Sequence, residues 1–497
     1  MKRIILSSIL MASCFCGFAQ ESAPTKTLKA GETAKLKKSV TWENICNNPA
    51  PLPVTGQLKT VPSDLTKKSW WSVGCETLDR DYSDFEAYKQ FVGPTGIGYG
   101  RLQSGWAKCE PEKGKYNFAW LDAHVDGLIA QGVHPWICLC YGNPAYSDDG
   151  YDLNARLFGE GKVMDAWERY VAQVVKRYKG KVTMYEVWNE PDGGKRPDSY
   201  NVYATLFAHT AKVIRKYDKD VKIAGFGVCT PNRKTSSGGN YIVEGVKTIK
   251  KLGALDDLDY ITYHAYWPIP ERVTPYVKQL RADLDAIGCK AGLLQGETGC
   301  PGQLEYGHAM KGHEWNEYSQ AKWDLRQAIN HFGMGIPYSV FTMVDLNYGW
   351  MIQSFGLVRM QLNARPVYLR PKYYAVQHLC SVFSGDVTPA SDVTVESSCG
   401  RQIACVGLVK GGKTVGCALW FCDRKPVGDL VRTPVNVTIK GMAVTPNLVY
   451  VDMLSGKIQQ LPAVYDLHCV TPEGNLQLSE LPLWDCPVVI IDPAALD

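Results

Sequence analysis

From Ser69 onward, short apolar runs bounded by turn residues alternate with longer stretches whose apolar residues return every three or four positions. Eight short runs stand out: WWSVGCE (70–76), IGYGRLQS (97–104), HPWICLCY (134–141), VTMYEVWNE (182–190), VKIAGFGV (221–228), LDYITYHAY (258–266), AGLLQGE (291–297) and IPYSVFTMV (336–344). Each reads as a buried strand, and the stretches between them as crossover helices of a parallel sheet. The clearest helix sets Val163, Trp167, Tyr170, Val171, Val174, Val175 and Tyr178 on one face at the helical period. KYYAVQHLCSVF closes the series after the eighth run. An α/β chain with eight strand–helix units predicts a (β/α)8 TIM barrel over 69–383 rather than an open doubly wound sheet. A glycine-rich phosphate loop would often follow the first strand of such a sheet, and neither GxGxxG nor GxxxxGK[ST] occurs.

After Phe383 the helical period vanishes. Runs such as RQIACVGLVKGGKTVGCALWF and LVYVDMLSGKIQQL alternate with Gly-Gly and Ser-Gly turns, so residues 384–497 are expected to form an all-β sandwich. Residues 20–68 hold PAPLPVTG and no sustained period. They are expected to be a loop-rich lead-in with a strand near Val40 to Trp42.

Composition adds the compartment and narrows the partners. MKRIILSSILMASCFCGFAQ joins a basic start to an apolar run and small residues, the layout of a secretory signal peptide over 1–19 that predicts export to the periplasm or the outside. Leu10 to Cys14 also resembles a bacterial lipoprotein signal, which would put a lipid anchor at Cys14 and the protein on the cell surface. The apolar run is too short to span a membrane comfortably. Without Lys2 and Arg3 the formal charge falls from +4 to +2 and the signs alternate along the chain, which argues against a nucleic-acid partner. Fifteen of the 17 cysteines follow the leader. With no CxxC pair they read mostly as buried thiols, with room for a disulfide or two and no zinc site.

The chemistry sits where apolar runs end on polar groups. VTMYEVWNEP carries an interior strand onto Asn189 and Glu190, with Pro191 stopping the ladder, and LLQGETG brings Glu297 to the matching end of the seventh run. In a barrel these ends share the catalytic face, so two carboxylates meet over one cavity. Separated by about 5–5.5 Å, such a pair performs retaining glycoside hydrolysis. The negative charge of one is expected to raise the pKa of the other. Strict strand alternation would send Asn189 and Glu190 to opposite faces, so a bulge or twist is required. Glu186, four residues deeper, reads as the partner of a buried base.

WNEP on the fourth strand and GETG on the seventh resemble clan A of the glycoside hydrolases, and the trailing β-region makes the chain most similar to family 39, which includes β-xylosidases. The resemblance implies a retaining β-glycosidase acting on plant-type glycans, xylosides first, with Glu190 as acid/base, Glu297 as nucleophile and Asn189 on the sugar 2-hydroxyl. It implies no cofactor and no metal. Arg101 resembles the arginine that clan members place beneath the nucleophile, although a plain salt bridge fits it too. His264 and Tyr266 fall near the nucleophile, the tyrosine able to hold Glu297 ionised, or else both pack in the core. Among Trp106, Tyr141, Tyr146, Trp267, Trp315 and Trp350, the last is the preferred platform for a sugar face. The eighth strand ends TMVD, where the clan often has an aromatic. His308 and His313 read as part of a substrate-lining or solvated loop. The alternatives are an endo-acting clan A glycanase and a non-catalytic carbohydrate-binding surface protein.

Overall fold

The computed structural model describes residues 36–496 except 67, 77, 154, 194, 195, 197, 443, 446 and 462–468. The expected leader over 1–19, with Cys14, lies outside the described residues. Each of the eight apolar runs contains one strand of a closed parallel barrel: β1 (Trp71–Gly74), β2 (Tyr99–Gln103), β3 (His134–Leu139), β4 (Met184–Val187), β5 (Lys222–Val228), β6 (Tyr260–Tyr263), β7 (Gly292–Thr298) and β8 (Tyr338–Val340). β8 closes the ring on β1, with Trp71 opposite Tyr338 and Val73 opposite Val340. Trp136, Met184, Ala224 and Leu294 fill the barrel interior as an apolar plug. Polar groups can therefore gather only above it. Helix Gly161–Tyr178 buries Trp167, Tyr170, Val171, Val174, Val175 and Tyr178 as its period requires, with Val163 at the margin.

Beyond the closing helix Pro371–Val382 the chain is antiparallel. One sheet has seven strands and the other has three, Thr394–Glu396, Thr433–Lys440 and Leu476–Leu483. Gly411 and Gly412, at φ +58 and +76, make the two-residue turn between Ile403–Lys410 and Lys413–Phe421; both φ values lie where a side chain is disfavoured. Helix Glu317–Gly333 fastens these sheets to the barrel, because its buried Lys322 pairs with Asp485 at 2.7 Å and Glu271 accepts from both Arg326 and Trp420.

The lead-in differs from expectation. Val40–Asn47 is a helix, capped by Ser39 Oγ accepting from the Trp42 amide at 3.2 Å. Val-Thr-Trp favours a strand in isolation, but the cap and the stacking of Trp42 on Tyr374, 4.0 Å between ring centres, override that preference. The strand of this segment is Val54–Gln57, which pairs antiparallel with Lys457–Gln460 at the edge of the seven-stranded sheet. All fifteen described cysteines are free thiols, and the disulfide or two for which the sequence left room is absent among the described residues. Nor is any helix among them long and apolar enough to cross a membrane.

Candidate active site

Parallel pairing of β4 stops at Val187, and the backbone then turns left-handed twice, with φ +67 at Trp188 and +47 at Glu190. Left-handed conformations cost a non-glycine residue on the order of 1–2 kcal/mol each. They are the twist that strict alternation demanded. Trp188, wedged between Trp167, Phe158 and Tyr141, anchors the turn. Asn189 and Glu190 both reach the cavity at the barrel mouth as a result.

Glu297 arrives on β7 from the other side. Gly299 follows because a β-carbon there would stand 2.0 Å from the carbonyl oxygen of Phe341. Past the end of β6, Ala265 takes φ +80, and its neighbours diverge. His264 Nδ1 lies 2.9 Å from Glu190 Oε1 and 3.8 Å from Glu297 Oε1, and Tyr266 donates its hydroxyl to Glu297 Oε1 at 2.7 Å. A carboxylate oxygen of Glu190 and one of Glu297 lie within 4.8 Å of each other.

Arg101 on β2 stands beneath this pair, fully buried. Its Nη1 donates to Glu297 Oε2 at 2.7 Å and to Glu76 Oε1 at 3.0 Å. Nη2 donates to Asn189 Oδ1 at 2.8 Å and, together with Nε, to Glu186 Oε2. Glu186 is thus the partner of a buried base, and Thr262 Oγ1 donates to its other oxygen at 2.5 Å. Because Arg101 holds the Asn189 carbonyl, the amide NH2 is directed to other partners. Glu76 escaped the sequence reading, although WWSVGCE ends on it just as two other runs end on Glu190 and Glu297. That shared signal could have found it.

One guanidinium and one imidazole therefore face four acids. Burial pushes Glu76 up to about 7, with Arg101 pulling down and Glu297 adding to the rise. Burial alone would lower His264, but the charge of Glu297 and the hydrogen bond and charge of Glu190 raise it to about 9. Burial would raise Glu190, yet the hydrogen bond and charge of the imidazolium hold it below the usual glutamate range. This corrects the expectation that Glu297 raises it. Two carboxylates alone would repel, but a cation wedged between them reverses the sign. Burial, then Glu297, keeps Tyr266 a phenol and a donor.

A consequence follows for stability. Folding raises the His264 pKa from about 6.5 to about 9, so its contribution is complete below pH 6.5 and fades as pH climbs through 9. The stability gap between wild type and His264→Gln, read from urea midpoints at pH 6.5, 8 and 9.5, should therefore narrow with rising pH. A constant gap would mean that His264 is neutral throughout.

The cavity has a volume of about 320 Å³ and is walled by Gln103, Tyr141, His308, Phe341 and Tyr348 besides the acids. A roomier cleft of about 660 Å³, along Lys278, Arg281 and Val406, holds none of these carboxylates. Trp350, the preferred sugar platform, is not among the residues that line this cavity. It is 70% exposed near the tip of the hairpin Leu346–Asn347/Ile352–Gln353 and stacks on the outer side of His308, which takes the wall position instead. Trp106 is core, and Trp315 is buried with its indole N–H on Met310 O. Tyr146 is tied to Glu110 at 2.6 Å, and Trp267 packs edge-on to Tyr276. Of the expected mouth aromatics only Tyr141 lines the cavity. His313 packs against Trp315, away from His308. Tyr348 and Gln353 enter from a loop with no periodic pattern, which left no sequence signal for them.

Comparison with known proteins bears on the fold and the family. Residues 102–280 match the family described as Glycosyl hydrolases family 39, a span that includes Asn189, Glu190, His264 and Tyr266. The fold is similar to a family 39 glycoside hydrolase from the gut symbiont Bacteroides cellulosilyticus WH2, with TM-score 0.62 and 18% identity over 87% of this chain and 82% of that one. It is also similar to the GH39 enzyme from Xanthomonas axonopodis pv. citri (TM-score 0.53, 15% identity, 89% and 98% covered). A monomeric β-xylosidase from Caulobacter crescentus CB15 gives TM-score 0.52 at 14% identity, with 87% and 97% covered. Over the matched segment, which lies within this barrel, the chain is similar to the glycoside hydrolases of family 39, a similarity that supports a glycosidase.

Proposed function

We propose that the protein is a retaining β-glycosidase that acts on plant-type glycans by double displacement, with β-xylosides as the first class to test. The observation that carries this reading is the approach of Glu190 and Glu297 to within 4.8 Å, close to the spacing of about 5–5.5 Å that lets one carboxylate attack while the other serves the leaving oxygen. Glu297, aimed by Arg101 and Tyr266, attacks the anomeric carbon. The Glu190–His264 pair holds one proton between two acceptors 2.9 Å apart, and Glu190 passes it to the departing oxygen. Once Glu297 is esterified its charge is gone, and with it the main support of the imidazolium. Glu190 then takes a proton from water as that water attacks the anomeric carbon, breaking its bond to the Glu297 oxygen and releasing the carboxylate. The amide NH2 of Asn189 serves the sugar 2-hydroxyl.

The substrate assignment leans on the xylosidase among the similar structures and on cavity size. Release of 4-nitrophenol from a panel of β-glycosides tests it. Hydrolysis of the xyloside above the glucoside and galactoside supports the reading, whereas glycan binding without turnover of any aryl or natural glycoside would favour a binding protein. Tyr266→Phe removes one hydrogen bond to a charged group, worth about 1.5–3 kcal/mol, so kcat should fall on the order of 10- to 100-fold with little change in fold. Export by the leader over 1–19, with or without a lipid on Cys14, belongs to the same proposal and rests on sequence alone. The mass of the mature N-terminal peptide tests it.

A further inference from the structure

A second cavity, about 440 Å³, adjoins the catalytic one, and Tyr82 and Tyr141 line both. Asp79, Arg80 and Lys108 bring charged side chains to its lining. Asp79 is 5% exposed. One of its oxygens accepts from Arg80 Nη1 at 3.1 Å, while Oδ1, buried, has no hydrogen-bond partner among the described residues. The Arg80 guanidinium lies 4.3 Å over the ring of Tyr141, and both residues line the cavity. Gly105 makes room for Asp79, since a β-carbon there would stand 2.3 Å from its Cβ. At the mouth Tyr151 is 77% exposed. A buried carboxylate oxygen left without a partner costs about 1–3 kcal/mol or more, which a ligand hydroxyl would repay.

We infer that this cavity is a second sugar subsite, in which Asp79 and Arg80 hold adjacent hydroxyls of the residue next to the one in the catalytic cavity, with Tyr151 covering its ring. An acceptor beside planar donors suits a neutral diol, and the aromatic wall suits the apolar face of a pyranose. The substrate is then an oligosaccharide rather than a simple glycoside. This inference rests on the proposed glycosidase site for its kinetic consequence, but binding alone can test it.

Two readouts separate the claims. On active enzyme, kcat/KM for 4-nitrophenyl β-xylobioside over that for 4-nitrophenyl β-xyloside should exceed ten, and Asp79→Asn or Tyr151→Ala should bring the ratio close to one. On the Glu297→Gln enzyme, calorimetry should give at least tenfold tighter binding of xylobiose or cellobiose than of the matching monosaccharide, a gain lost in the same two substitutions. Tyr151 is on the surface, so its variant is expected to fold even if Asp79→Asn does not. Enzyme that binds the disaccharides tightly yet cleaves nothing would sink the catalytic proposal and keep the subsite. No gain from either disaccharide, or a gain untouched by both substitutions, overturns the subsite.

Discussion

Glu297→Ala should lower kcat on aryl glycosides by roughly 10⁴-fold or more, since no other carboxylate is placed to attack the anomeric carbon. Glu76 lines the same cavity, but Arg101 Nη1 holds its carboxylate at 3.0 Å. Azide, small enough to enter the vacated space, should restore turnover and yield a glycosyl azide of inverted configuration. In Glu190→Ala the same ion should instead intercept the glycosyl-enzyme and yield an azide of retained configuration. The two products assign the two acids independently. Equal, modest losses in both variants, with no azide adduct from either, would remove Glu190 and Glu297 from the reaction.

The second large effect is expected at Arg101. Arg101→Met strips the guanidinium from Glu76, Glu186 and Glu297, which are nearly fully buried around it. Breaking a buried charge pair costs about 3–5 kcal/mol, because the remaining ion stays in a poor solvent. The stranded acids can reduce that cost by taking up protons. Their folded pKa values would then exceed their unfolded ones, so the folded state binds more protons and stability falls as pH rises. Urea denaturation should find the variant closer to wild type at pH 5 than at pH 8. Activity should fall at least as far as loss of a preorganised electrostatic group implies, roughly 10²–10³-fold. Arg101→Lys should rescue little, since a single ammonium cannot serve four acceptors held by a planar fork. A variant as stable as wild type at pH 8 would mean that the acids beneath the site are already neutral.

The barrel was legible because its strands are continuous apolar runs, and period alone separates them from the helices. The two acids were legible because a carboxylate at the end of such a run has no packing reason to be there. The same reasoning applied to WWSVGCE would have yielded Glu76; it was missed because no motif drew attention to it. The place of Trp350 outside the cavity wall was not legible, because exposure at a hairpin tip and a place in a cavity wall look alike in sequence. What decides between them is the stacking of Trp350 on His308, a contact across 42 positions of chain. The sign of the shift at Glu190 was also out of reach. It depends on which of two neighbours, Glu297 or His264, comes closer, and only the turn at Ala265 settles that. The helix at Val40–Asn47 shows local preference yielding to one cap and one stacked ring.

The double displacement is tested most directly by proton NMR of the first sugar released from an aryl β-glycoside, before mutarotation mixes the anomers. Two carboxylates meeting across a gap this narrow leave no room for a water opposite the leaving group, so the β-anomer should appear first. An initial burst of α-anomer would mean that water attacks directly, and would contradict Glu297 as nucleophile.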